Sequence, residues 1–114
     1  MGMSKYNTLK EVCYQSNMAL PEAGLVIHTF GNVSAVDRAA GVFAIKPSGV
    51  PYDRLSPADM VIVDYDNRIV EGKLRPSSDT RTHALLYRHW EAIGGIVHTH
   101  STYAVAWAHA QKDI

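Results

Sequence analysis

Along residues 8–20 the apolar positions fall at helical spacing, with Leu9, Val12, Cys13, Ser16 and Leu20 forming one stripe. Thr8 and Glu11 stand at the separation of a capping box, and Pro21 and Gly24 punctuate the end, so the spacing predicts a helix from Thr8 to Leu20. Two short apolar runs, "LVIHTF" (25–30) and "VFAIK" (42–46), predict strands, with "DRAAG" (37–41) as the turn region between them. "SPADM" (56–60) offers Ser56 as an N-cap and Pro57 at the first helical position, which predicts a single helical turn. "VIVDYDNRIVEG" (61–72) has the pattern of a hairpin with its tip near Asp66-Asn67. A second helix is expected from about Thr80 to Ala92, with His83, Leu86, Trp90 and Ile93 on one stripe and Gly94-Gly95 ending it. The strand "GIVHTHS" follows, and "TYAVAWAHAQ" (102–111) predicts a third helix. Helices and strands mix irregularly and hairpins are prominent, which points to an α/β or α+β layer with a substantially antiparallel sheet.

Size and charge narrow what such a layer can do. A chain of 114 residues supports one modest domain, taken as residues 1–114, and not two. With 46% hydrophobic and 19% charged residues it is expected to fold rather than remain disordered. The formal net charge of zero leaves no basic field to hold nucleic acid or an anionic membrane, so neither is expected as a partner. Small anions remain open, because backbone donors and one lysine suffice for them. The lone cysteine, Cys13, excludes an internal disulfide framework and suits a reducing cytoplasm. No apolar run reaches the length of a membrane span, and the N-terminus has no signal-peptide core.

Candidate chemistry begins with "GGIVHTHSTYA" (94–104). Side chains alternate faces along a strand, so His98 and His100 project from one side while Val97 and Thr99 project from the other. Two such imidazoles can chelate a transition metal through neutral nitrogen. The competing reading is a pair of partly buried histidines satisfied by hydrogen bonds, or a wet sheet face. The Gly-Gly entry and the Ser101-Thr102 exit place the pair near a strand-end opening, where sites form. A catalytic zinc normally takes three protein ligands, and spacing offers Asp79, Glu71 or Asp64 as a carboxylate partner. Asp79 is preferred because it follows a polar, proline-led loop that opens a helix, although an ordinary N-cap is the commoner role for such an aspartate. His83 and His109 fall on predicted helix faces, His89 reads as solvated, and His28 as structural.

Three loops share a second chemistry. "FGNVSA" (30–35), "KPSGV" (46–50) and "RPSSDT" (75–80) each offer small residues whose backbone N–H groups can be approached closely, with a hydroxyl or amide beside them. "RPSSDT" leads into a helix N-terminus, which favours an anion, and Lys46 adds a full positive charge. Taken one at a time, these residues are better explained as turn formers. Together with the histidine pair they point to a soluble domain that binds a metal and a phosphorylated small molecule.

The ordered set "GNVSAVD", "GVFAIKPSGVPY", "KLRPSSDTRTHALLYRHW" and "GGIVHTHSTYAVAWA" resembles the class II aldolase and adducin family, and within it the L-ribulose-5-phosphate 4-epimerase branch. The resemblance implies a three-layer αβα fold around a mainly antiparallel sheet. It implies Zn2+, or another divalent metal, held by His98 and His100 with Asp79 as the metal-side catalytic carboxylate. Phosphate-binding positions of the family fall on Gly31, Asn32, Ser48, Gly49, Ser77 and Ser78, and Lys46 matches a substrate-side lysine. The aldolases of the family usually carry glutamate at the position of Asp79 and commonly lack the lysine of "KPSG", which favours the epimerase branch. The implied reaction converts the phosphorylated ketopentose L-ribulose 5-phosphate into D-xylulose 5-phosphate by retro-aldol cleavage and re-addition, in arabinose or ascorbate catabolism. It also implies a cytoplasmic homotetramer. Members of the family continue past the position of Ile114, so a third metal histidine and acid/base residues, an aspartate and a tyrosine, are expected beyond it, and the chain reads as a truncated N-terminal portion whose activity alone is doubtful. A sugar-phosphate aldolase, a non-catalytic adducin-like module and an inactive fragment are the alternatives.

Overall fold

The run Val42-Phe43-Ala44-Ile45 is buried at every position, which a strand achieves only when both of its faces are covered. The computed structural model, which describes residues 4–24 and 31–98, shows how. Helix α1 (Asn7–Glu22) is followed by strands β1 (Asn32–Asp37) and β2 (Val42–Ile45), then β3 (Val61–Asp64) and β4 (Ile69–Glu71), helix α2 (Thr80–His89) and β5 (Gly95–His98). Short 3-10 turns at Tyr52–Arg54 and Pro57–Asp59 join β2 to β3. The sheet has the order β4-β3-β2-β1-β5, and every neighbouring pair is antiparallel. The expected strand at 25–30, His28, His100, His109 and the expected helix at 102–111 lie outside the described residues.

Alternation distributes the apolar side chains to two cores. Val42, Ala44, Met60 and Ile62 join Cys13 of α1 on one face, with Tyr52 and Leu55. Phe43, Ile45, Val61 and Val63 meet Ala84 and Tyr87 of α2 on the other. Helix, antiparallel sheet and helix thus form three layers, in keeping with the expected fold class. The hairpin turns at Asn67 (φ 65°), and Asp64 Oδ1 accepts the N–H groups of Asp66 and Arg68, both at 2.9 Å. The turn at Pro57–Asp59 forms as expected, with the Asp59 carboxylate accepting the Ser56 N–H at 3.0 Å.

Four local expectations are corrected. The chain at 32–37, expected as loop, is strand β1, which pairs with β2 across the turn ending at Gly41. Its polar residues Asn32 and Ser34 are buried because α2 and the loop before it supply their hydrogen bonds. Helix α1 begins at Asn7 without the Thr8–Glu11 capping box. Ser4 instead accepts the Tyr6 N–H at 3.0 Å and donates to Glu71 of β4, anchoring the start of the helix to the sheet edge. Its buried face is Lys10, Cys13, Asn17 and Leu20, while Val12 is 50% exposed. The β1–β2 register ends at Ser34↔Ile45, and the backbone of the preceding Val33 pairs with the Asn17 amide (2.8 and 2.9 Å), so a polar side chain is what this face requires. Helix α2 stops at His89, not Ala92, and its buried face is Thr80, His83, Ala84 and Tyr87, leaving Trp90 59% exposed. Arg38 takes the carbonyls of Tyr87, Trp90 and Ile93 at 2.6–2.9 Å, so the chain turns away there with its last carbonyls satisfied.

Candidate active site

The antiparallel register brings the start of β1 and the ends of β2 and β5 to one end of the sheet. Asn32 pairs with His98, and the loop after β2 is tied to the loop before α2. Ser48 N–H donates to Arg75 O at 2.8 Å, Ser77 N–H donates to Lys46 O at 3.0 Å, and Pro47 bridges to Pro76. Four stretches separated in sequence therefore surround one cavity of about 330 Å³. Its lining is Gly31, Asn32, Lys46, Pro47, Ser48, Gly49, Ser77, Ser78, Asp79 and His98. Every candidate site residue within the described residues is in that set. His100 lies outside them. Glu71 and Asp64, the other carboxylates considered, are elsewhere: Glu71 binds Ser4 and Lys10 at the β4 edge, and Asp64 closes the hairpin.

Asp79 precedes α2 at the N-cap position, yet its side chain makes no cap hydrogen bond. Its Oδ2 accepts Asn32 Nδ2 at 2.8 Å and lies 2.6 Å from His98 Nδ1. The first turn is closed instead by Ser77, whose carbonyl accepts both the N–H and the hydroxyl of Thr80 (3.0 and 2.5 Å). Burial opposes ionisation of Asp79. The hydrogen bonds from Asn32 and His98, with the positive potential of His98 and His83, outweigh it and hold the carboxyl below its ordinary range. Asn32 also donates to Ser77 Oγ at 3.2 Å, and its buried Oδ1 has no hydrogen-bond partner among the described residues. The amide thus links the carboxylate side of the cavity to the serine loop.

At the other wall Lys46 is 2% exposed, its Nζ 4.9 Å from the centre of the Tyr52 ring and 3.4 Å from Pro47 O. Burial lowers its pKa. The Tyr52 hydroxyl donates to Gly31 O at 2.6 Å, and burial pushes that phenol up to about 12. Behind Asp79, His83 is buried, with Nδ1 2.6 Å from Ser34 Oγ, which in turn lies 2.7 Å from the Tyr87 hydroxyl. Burial pulls the His83 pKa down to about 4, partly opposed by Asp79, so the ring is neutral near pH 7. Sequence reasoning placed His83 only on a helix face and missed Tyr52. The one signal for Tyr52 was its place directly after "KPSGVP".

The donor chemistry fits a divalent ion in part. His98 offers imidazole and Asp79 a carboxylate, and with Nδ1 directed at Asp79, coordination by His98 would use Nε2. A carboxylate behind a ligating imidazole fixes its tautomer and orientation. Among the described residues no three His, Cys, Asp or Glu side chains gather closely enough to hold a metal by themselves.

Residues 11–114 match the family described as Class II Aldolase and Adducin N-terminal domain. The chain is 56% identical over 106 residues to the L-ribulose-5-phosphate 4-epimerase UlaF of Salmonella paratyphi B, covering 93% of this chain and 46% of that protein. The protein of the same name from Salmonella typhi matches to the same extent. Among solved structures, an L-fuculose 1-phosphate aldolase superposes with a TM-score of 0.86 at 32% identity over 96% of this chain and 51% of its own. The L-fuculose-1-phosphate aldolase of Thermus thermophilus gives 0.71 at 33% identity, over 89% of this chain and 50% of its own. The chain spans about half the length of the curated relatives it matches.

Proposed function

Because this chain belongs to the class II aldolase and adducin family, we propose that it is the cavity-bearing portion of a divalent-metal-dependent sugar-phosphate enzyme. The reaction we assign is epimerisation of L-ribulose 5-phosphate at carbon 4, giving D-xylulose 5-phosphate. The observation that carries this reading is the convergence of Gly31, Asn32, Lys46, Ser48, Ser77, Asp79 and His98 on one cavity. The 56% identity to proteins named for that activity supports the choice of reaction.

In this reading the small-residue loops take the substrate phosphate. Backbone N–H groups at Gly31 and Gly49, and the hydroxyls of Ser48, Ser77 and Ser78, bind its oxygens, and Lys46 adds charge. His98, with His100 as the family resemblance implies, would hold a divalent ion, which would supply a Lewis acid for the sugar's carbonyl end. Asp79 orients His98 and keeps its proton on Nδ1. The acid/base pair takes the C4 hydroxyl proton, and the C3–C4 bond breaks with its electrons passing to the carbonyl fragment. The aldehyde fragment turns while its phosphate stays held, and those electrons re-form the bond on the aldehyde's opposite face as the proton returns to the C4 oxygen. Retention of the phosphate makes the recombination intramolecular, which is what raises its rate over escape. In this reading the third metal histidine and the acid/base pair lie beyond Ile114, and the whole protein is a cytoplasmic homotetramer of arabinose or ascorbate catabolism.

Product analysis with the full-length protein tests the assignment. D-Xylulose 5-phosphate from L-ribulose 5-phosphate is the expected result. Accumulation of dihydroxyacetone and glycolaldehyde phosphate would establish a sugar-phosphate aldolase instead, a second reading favoured by the fit to an L-fuculose 1-phosphate aldolase. No turnover and no bound metal would establish an adducin-like module.

A further inference from the structure

Tyr52 is buried against the α1 core, yet both ends of its polar chemistry are directed at the cavity. Its hydroxyl donates to Gly31 O at 2.6 Å, and its ring face lies 4.9 Å from Lys46 Nζ. Gly31 and Lys46 both line the cavity, from segments joined to it by different strands. We infer that Tyr52 is a positioning residue for the phosphate end of this cavity, holding the Gly31 peptide and the Lys46 ammonium in a fixed relation. The inference rests on the sugar-phosphate reading and extends it to a side chain outside the cavity lining.

The physical argument has two parts. Gly31 has φ +94°, a conformation that glycine enters readily and leaves as readily. A strong donor on its carbonyl restrains that freedom. Because the peptide is planar and trans, fixing the Gly31 C=O also fixes the direction of the Asn32 N–H. The second part concerns charge. Lys46 is 2% exposed, and burial disfavours its ammonium form. An aromatic face at cation–π distance favours the charged form and limits where the ammonium can sit. A short 3-10 turn, Tyr52–Arg54, presents the ring, with Pro51 fixing the approach of the chain. An anion cradle needs its donors fixed before the ligand arrives, since donors that must be ordered on binding weaken it.

The test uses the full-length protein, with isothermal titration of inorganic phosphate and steady-state kinetics on L-ribulose 5-phosphate. Tyr52→Phe deletes only the hydroxyl and keeps the ring under Lys46, and its melting temperature checks that it folds. Loss of one hydrogen bond to the cradle is expected to weaken phosphate binding and raise KM about 3- to 10-fold. Bound metal should be unchanged and kcat should change less than KM. Tyr52→Leu, which also removes the ring face, should weaken phosphate further. Wild-type binding of phosphate that Tyr52→Phe leaves unaltered would overturn this inference alone, as would a loss that falls equally on kcat, metal content and KM. Absence of phosphate binding by the wild type would overturn the sugar-phosphate reading as well.

Discussion

Asn32 and His98 stand opposite each other across the β1–β5 pairing, and both reach the same oxygen of Asp79, at 2.8 and 2.6 Å. Against an ionised carboxylate the His98 Nδ1 must carry the proton, so the geometry selects one tautomer. The sheet supplies two of the three corners and the residue before α2 supplies the third. A change at any corner should therefore be felt at the other two.

Asn32→Ala in the full-length protein should lower kcat/KM by about 10- to 100-fold, the usual cost of losing a group that orients a metal-side residue. Asn32→Asp should be worse than Asn32→Ala, because it sets a second carboxylate against Asp79. Steady-state kinetics on the pair decides the matter. An active Asn32→Asp protein would show that the amide does not hold Asp79.

Asp79→Ala separates a capping role from a site role. The carboxylate does not cap α2, so the metal-free protein should lose less than the ~1 kcal/mol typical of a missing N-cap. Metal affinity should fall instead, by about 10- to 100-fold. Urea unfolding and metal titration on one preparation measure both. A large stability loss with unchanged metal affinity would reverse the assignment.

The buried His83 makes stability pH-dependent. Burial first, offset in part by Asp79, brings its folded pKa to about 4 from an ordinary 6.5. Between those values the unfolded chain binds more protons than the folded one. Stability should then fall as pH drops through this window, by about 1.4 kcal/mol per pH unit, and flatten below it. Denaturant midpoints from pH 7 to pH 4 follow the effect, and His83→Gln should remove this contribution. Ser34→Ala, which takes away the Oγ 2.6 Å from His83 Nδ1, should cost about 1–3 kcal/mol at pH 7.

Cys13 should be unreactive in the native protein. It is buried, its Sγ lies 3.3–3.4 Å from the carbonyls of Ala44 and Val33, and burial raises its pKa to about 12. The thiolate, which is the reacting species, is then scarce at neutral pH. Alkylation by iodoacetamide should be slow in buffer and rapid in denaturant. Rapid labelling of folded protein would show that α1 detaches readily from the sheet.

Much of the fold is legible in local pattern. The uninterrupted apolar runs at 42–45 and 61–63 belong to strands covered on both faces, and the Asn67 turn is visible in the hairpin pattern. The strand at 32–37 is not, because Asn32 and Ser34 read as loop residues until Asp79, Ser77 and His83 are brought against them. The face of α1 misleads for the same reason. Asn17 looks like a solvent residue, and only the backbone of Val33 makes its burial favourable.

The candidate site divides along the same line. Residue types and their order in "GN", "KPSG", "SSD" and the histidine strand are properties of the chain itself, and the alternation that puts His98 on the face opposite Val97 follows from strand geometry alone. That Asp79 turns from the helix to His98, that Ser48 and Ser77 are sewn to Arg75 and Lys46, and that Tyr52 grips Gly31 were decided by the antiparallel register. Local pattern records what each residue prefers within a few neighbours. Contacts between residues dozens of positions apart depend on how strands align, and no local preference specifies that alignment.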